Sequence, residues 1–222
     1  MKLITQLLII LFPWKLRRLI LIKLFKFKIH KTARIGKSII LADNLFMGNN
    51  SVIGSLTFCK NIGFLKLYKN ARLGSLNYIT GCPQNNTLHY LQRKNRQCQL
   101  TIGAHSAVTS RHFIDCTAGV TFGEFTTFAG IRSQILTHAI DLSKNIQDCK
   151  PVEFGSYCFV GSNVTVLAGS TLPDFSVLGA KSLLNKNFTN ECFLYGGVPA
   201  IKIKELEKEK LAYFNRNKGF VN

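Results

Sequence analysis

The sequence predicts an all-β solenoid: a parallel β-helix of six-residue repeats, with short helical segments at its two ends. Three observations predict it. An apolar residue returns at every sixth position as Phe154, Val160, Val166, Leu172, Leu178 and Leu184. The same period recurs upstream in separate phases, and the stretches that interrupt it are polar. An amphipathic helix repeats near 3.6 residues and a half-buried strand every two. Six fits a chain that runs straight briefly, turns a corner and runs again, which is the mark of a hexapeptide β-helix.

Residues 1–32 form the first segment, "MKLITQLLIILFPWKLRRLILIKLFKFKIHKT". Lys2, Lys15, Arg17, Arg18, Lys23, Lys26, Lys28 and Lys31 alternate with apolar residues, and the first acid of the chain is Asp43. The uncharged run from Leu3 to Trp14 falls short of the roughly 20 residues that cross a bilayer, and no small-residue cleavage site follows it. The segment reads as two short amphipathic helices broken near Pro13. They either lie in an anionic membrane surface through residues 1–31 or cap the open end of the solenoid, and one helix pair can do both.

Residues 33–200 are the repeat domain. Ile35, Leu41, Met47, Ile53, Cys59 and Leu65 form one six-spaced series; Leu67, Leu73 and Ile79 form a second. Ile102, Val108, Ile114 and Val120 follow, then Phe122 and Phe128. Gly stands directly after several of these, where it is expected to supply a conformation that a Cβ would strain. Residues 80–99 and 138–150 break the period and read as loops thrown out from the wall, where function concentrates. Arg93, Lys94 and Arg96 in the first loop are candidate acceptor contacts. Residues 201–222 read as a short charged helix and tail, with Glu205–Lys208 a favourable i,i+3 pair.

Composition bounds the rest. Apolar residues make up 46% of the 222, enough for a proper core. Seven cysteines, odd in number and without a C-x-x-C pair, point to free thiols in a reducing cytosol, not to a disulfide framework or a zinc cluster. The net charge of +18 raises nucleic acid as a partner. The charge is densest in a hydrophobic segment, however, and no helix-turn-helix, zinc-finger or RNP-like motif accompanies it. No nucleic acid is expected; anionic lipid, acidic polysaccharide or a phosphate-bearing cofactor suits the charge better.

The block 151–206 resembles the C-terminal half of hexapeptide-repeat acyltransferases, in the branch of bacterial sugar and polysaccharide O-acetyltransferases. The matching pieces are "PVEFGSYCFVG", "GAKSLLNKN" and "YGGVPAIKIKEL", in that order. The resemblance implies a left-handed β-helix, a homotrimer with sites between subunits, acetyl-CoA as donor and no metal. It also implies a base at the last repeat position before a loop, where His138 stands. Histidine titrates near neutrality and can take a hydroxyl proton and return it. Asp141 and Glu153 are candidates to orient it, as is a backbone carbonyl, and a backbone N–H near Ser162 is a candidate oxyanion donor. His112 is placed to line the same cleft, and Cys149 is an alternative nucleophile.

Carried over position by position, the resemblance puts Ser162 against the pantetheine arm of CoA. Ala180, Asn185 and Lys186 fall at further CoA contacts, and Lys204 at its phosphates. Lys181 stands where Gly is usual, Asn185 where Thr is, Ile201 where a basic residue is frequent, and Phe159 where Trp is. The expectation is a cytoplasmic enzyme, peripheral on the inner face of the membrane, that O-acetylates a sugar hydroxyl of a surface polysaccharide or its precursor. The alternatives are an N-acetyltransferase on an amino-sugar nucleotide, and a non-catalytic or carbonic-anhydrase-like β-helix. For the last, His105 and His112 match a zinc set poorly.

Overall fold

The structure is a computed structural model and describes residues 2–219. The six-residue period becomes three flat walls. Val152–Phe154, Phe159–Val160 and Thr165–Val166 make one turn of the solenoid, and Thr171–Leu172, Val177–Leu178 and Leu183–Leu184 the next. Among the described residues, successive turns pair in parallel in walls of seven, nine and seven strands, the last strand of the second wall, Ala200–Glu205, being antiparallel. Strict register converts the sequence period into columns. Phe122, Phe154 and Leu172 stack in the first wall, Phe128, Val160 and Leu178 in the second, and Ile135, Val166 and Leu184 in the third. These residues are buried almost completely and fill the prism between the walls. Parallel strands buried on the inner face need this apolar column, because no water reaches it.

The phase differs in one place. Ile40, not Leu41, points inward at the third wall of the first turn, because that corner is one residue shorter. The repeat glycines also act differently from expectation. Gly36, Gly54, Gly123 and Gly155 do not have positive φ. They are required by close approach: a Cβ on Gly123 would sit 2.5 Å from the backbone of Gly155, one turn on. The left-handed corner positions are held instead by Asn50, Asn70, His105, Phe125, Tyr157 and Phe175.

Both helices exist, α1 over Lys2–Ile9 and α2 over Trp14–Phe25, with Pro13 between them. They close the first turn. Gln6 donates from Nε2 to the Ile40 carbonyl at 2.6 Å and accepts the Ile40 N–H at 2.8 Å. Arg17 donates to the Gly36 carbonyl at 3.1 Å and Trp14 Nε1 to that of Ala33 at 3.1 Å. Open strand ends would otherwise leave such groups unpaired.

The C-terminal segment departs from the expected helix. Phe193–Gly197 joins the second wall, and Ala200–Glu205 folds back on it antiparallel. Two short 3-10 turns, Lys208–Lys210 and Ala212–Asn215, follow. The alternating apolar pattern of "AIKIKE" extends the sheet, and Lys210 pairs with Glu207 in place of the Glu205–Lys208 pair. All seven cysteines are free. Burial pushes the Cys158 thiol up to about 12 and also raises those of Cys59 and Cys116, so these are packing groups.

Candidate active site

The corner between the third and first walls is where the period breaks. After the strand Gln134–Ile135 the chain leaves the solenoid as a hairpin, His138–Asp141 pairing antiparallel with Ile146–Cys149 and His138 opposite Cys149. Two turns earlier, residues 81–98 leave the same corner and lie against this hairpin. Tyr90 donates its hydroxyl to Gln147 Oε1 at 2.7 Å, and Gln92 Nε2 to the Gln147 carbonyl at 2.7 Å. Arg93 forks onto both oxygens of Asp148 at 2.6 Å. Arg96 donates to the carbonyls of Cys82, Pro83 and Thr117. Of the three cations expected to meet an acceptor, Arg93 and Arg96 hold the loops, and Lys94 remains.

The centre of the corner is Asp115, the last residue of the strand Phe113–Asp115. Its side chain is 3% exposed and accepts five hydrogen bonds. Thr117 donates its N–H and hydroxyl to Oδ1 at 3.1 and 2.7 Å. Thr137 donates its N–H and hydroxyl to Oδ2 at 2.8 and 2.7 Å. The fifth donor is His138 Nδ1, also to Oδ2, at 2.8 Å. Burial alone would raise the Asp115 carboxyl, but the bonds from His138, Thr117 and Thr137 outweigh it and hold it below the usual range. The same bond raises His138 above the ordinary imidazole value, against a smaller opposing effect of burial.

An ionised carboxylate only accepts, so the Nδ1 proton belongs to His138 and Nε2 keeps its lone pair. The His138 side chain is 43% exposed, while the Tyr90 ring packs edge-on to it at 6.1 Å. An imidazole so held can take a proton at Nε2 from a group arriving from solvent. This is the base–orienter geometry of general-base sites. A cleft of about 660 Å³ opens beside the hairpin. Arg93, Lys94, Cys149, Lys150 and Glu153 are on its lining; His138 is not.

The orienting residue is therefore neither of those expected. Asp141 is turned into its own hairpin, accepting from the Ser143 hydroxyl and N–H and pairing with Lys144. Glu153 faces outward on the first wall and lines the cleft without bonding to His138. Asp115 lies 23 residues upstream, and stacking of turns brings it under Thr137 and His138. Its signal in the sequence is modest: a rare acid in a basic chain, directly after the inward Ile114 and two residues before a threonine.

His112 does not line the cleft. It is buried, accepts the Ser133 N–H at Nδ1, pairs with Thr109 Oγ1 through Nε2, and packs edge-on to Phe128 at 4.9 Å. Burial lowers it to about 4, so it stays neutral. Cys149 is no poised nucleophile, since burial raises its thiol to about 11.

The five positions carried over for CoA separate into three places. Ser162 and Ala180 meet at the corner between the second and third walls. Gly130, with φ +69°, lies directly beneath Ser162, where a Cβ would collide with the Ser162 hydroxyl, and a Cβ on Gly161 would meet the Ala180 backbone at 2.7 Å. Asn185 and Lys186 are exposed at the third-to-first corner, the one that carries His138. Lys204 is exposed on the last strand, opposite Leu194. Among the described residues no cluster of three or more metal-ligating side chains occurs.

No protein-family model matches the sequence, and no curated protein matches it significantly. Solved structures do match. The polysialic acid O-acetyltransferase OatWY is similar over 81% of this chain and 84% of its own, at 19% identity and a TM-score of 0.58. An N-acyltransferase from Bacillus cereus, AntD, in complex with dTDP-4-amino-4,6-dideoxyglucose and coenzyme A, covers 83% and 86% at 14% identity, TM-score 0.56. A hexapeptide-repeat acetyltransferase of Vibrio cholerae O1 biovar eltor, VCA0836, complexed with acetyl coenzyme A, covers 64% and 71% at 20% identity, TM-score 0.53. What this chain shares with these acetyl- and acyltransferases is the fold: it is a left-handed parallel β-helix of hexapeptide repeats.

Proposed function

We propose that the protein is an acetyl-CoA-dependent O-acetyltransferase acting on a sugar hydroxyl of a bacterial surface polysaccharide or its precursor, with His138 as general base. The observation that carries the reading is His138 held through Nδ1 by the buried Asp115 at 2.8 Å, with Nε2 free. Support for the acceptor class comes from the fold shared with OatWY, a polysialic acid O-acetyltransferase.

The residues present fit the co-substrate. Bare backbone at Gly130 and Gly161 lets the turns that carry Ser162 and Ala180 approach closely at one corner, and Lys181, Lys186 and Lys204 are exposed cations for phosphates. When bound, acetyl-CoA supplies an acyl group already activated as a thioester. His138 Nε2 takes the proton of the acceptor hydroxyl as its oxygen attacks, then returns it to the departing sulfur. Asp115 holds the tautomer and stabilises the imidazolium between those two transfers. Ser162 and Ala180 stand on a different corner from His138. A homotrimer, with the Ser162 corner of one chain facing the hairpin of the next, would complete the site.

The fold is equally that of AntD, an N-acyltransferase crystallised with an amino-sugar nucleotide, so the acceptor decides between O- and N-transfer. Release of CoA from acetyl-CoA, measured against a panel of oligosaccharides and amino-sugar nucleotides, tests both. Acceptor-dependent release that falls by about 10²–10⁴ in His138→Ala is expected. Equal release in the two proteins would exclude His138 as the base, and turnover on amino sugars alone would replace O- with N-transfer.

A further inference from the structure

The N-terminal helices carry apolar residues on two faces. Toward the solenoid they turn Ile9 and Leu21, together with the polar Gln6 and Arg17, both buried and bonded to backbone of the first turn. Away from it they turn Leu3, Ile4, Leu7 and Leu8, which occupy one face of α1 at i, i+1, i+4 and i+5. Leu8 is 71% exposed, and Leu11 just beyond it 78%. On α2, Leu16, Leu19 and Leu24 are exposed beside Lys15 and Lys23. A lone exposed leucine is ordinary, but a contiguous apolar face marks an interaction surface.

Charge identifies what covers it. A groove of about 810 Å³ flanks α2, and Lys15, Arg18, Lys31 and Arg34 line it around Trp14. Lys15, Lys31 and Arg34 take part in no ion pair among the described residues. Before Asp115 the chain holds eighteen of its twenty-nine basic residues and one of its eleven acids, a net charge of +17. The remainder carries +1. Two such faces from separate copies would repel each other, whereas an anionic surface attracts each of them. Among the described residues no helix is long and apolar enough to cross a membrane.

We propose that the outer face of α1 and α2 docks onto a bilayer containing anionic phospholipid. The leucines enter the boundary between headgroups and acyl chains, while Lys15, Lys31 and Arg34 meet lipid phosphates. Both helices lie in the plane of the surface.

Co-sedimentation of the whole protein with vesicles tests this independently of any activity. The protein is expected to bind phosphatidylcholine vesicles containing phosphatidylglycerol, to bind pure phosphatidylcholine far less, and to release as salt rises. Leu8→Glu with Leu11→Glu should weaken binding by about tenfold or more, since both side chains are exposed and each is worth roughly that much in burial. Lys15→Glu and Lys31→Glu should each weaken it about fivefold or more. Circular dichroism checks the fold of each variant, and the lysine variants carry the test if the leucine pair unfolds. Equal binding to both vesicle types, or full binding by every folded variant, would overturn the proposal. So would light scattering that shows a higher mass abolished by Leu8→Glu with Leu11→Glu, because the face would then cover a second copy.

Discussion

At the corner between the first and second walls, residues 103–106, 123–126 and 155–158 read Gly-Ala-His-Ser, Gly-Glu-Phe-Thr and Gly-Ser-Tyr-Cys. Each turn there is a copy of the last. His105, Phe125, Tyr157 and Phe175 stack at 4.7, 4.7 and 5.0 Å. Below them Ser106 donates to the Gly123 carbonyl and Thr126 to that of Gly155, both at 2.6 Å. At the corner between the third and first walls nothing repeats: one turn inserts residues 81–98, the next presents Asp115 and Thr117, and the one after inserts the hairpin of His138. A corner that stacks on itself satisfies its own polar groups and has none left for a ligand. A corner that breaks the period must satisfy them irregularly, and that freedom places a buried carboxylate under an exposed imidazole.

The two corners differ most in chemistry at Asp115. Asp115→Asn preserves the volume but removes the ionised acceptor, and a rate loss on the order of 10² or more is expected. Protonated His138 cannot accept a proton, so the rate rises with pH through its pKa. Because Asp115 raises that pKa, the acid limb in Asp115→Asn should move to lower pH. A limb that stays in place while the rate falls would make Asp115 merely structural.

Stability should respond in the opposite corner. Gly123→Ala forces a Cβ to within 2.5 Å of the Gly155 backbone and should cost about 1–3 kcal/mol, read as a lower midpoint in thermal or urea unfolding. A glycine inserted between Ser143 and Lys144, at the tip of the hairpin, should cost less than about 1 kcal/mol. If the two costs were alike, both corners would be equally rigid and the distinction would fail.

The smallest effect sharpens the contrast within the open corner. Arg93 is partly exposed, and its pair with Asp148 ties one inserted loop to the other. Arg93→Ala should change stability by less than about 1 kcal/mol, while the acceptor KM rises several-fold with kcat nearly unchanged. An unchanged KM would remove residues 81–98 from acceptor binding.

The period of six, read from residue types alone, determined the walls, the inward columns and the places where two loops leave them, because an apolar side chain every sixth residue has one interior to share. The residues carried over by resemblance named His138 but not its partner. Only the tertiary structure decided that Asp115 holds it, since the stacking of turns, not distance along the chain, brings the two together. The structure also decided why the corner glycines are needed: coil-to-coil approach is a property of packed backbones and leaves no mark in local conformation. Finally it decided which way the N-terminal helices face. Hydropathy alone would bury their leucines, but the open end of the first turn presents bare carbonyls and an N–H. Gln6 and Arg17 satisfy those groups beside the buried Ile9 and Leu21, and Leu3, Leu7, Leu8, Leu16 and Leu19 are left outward.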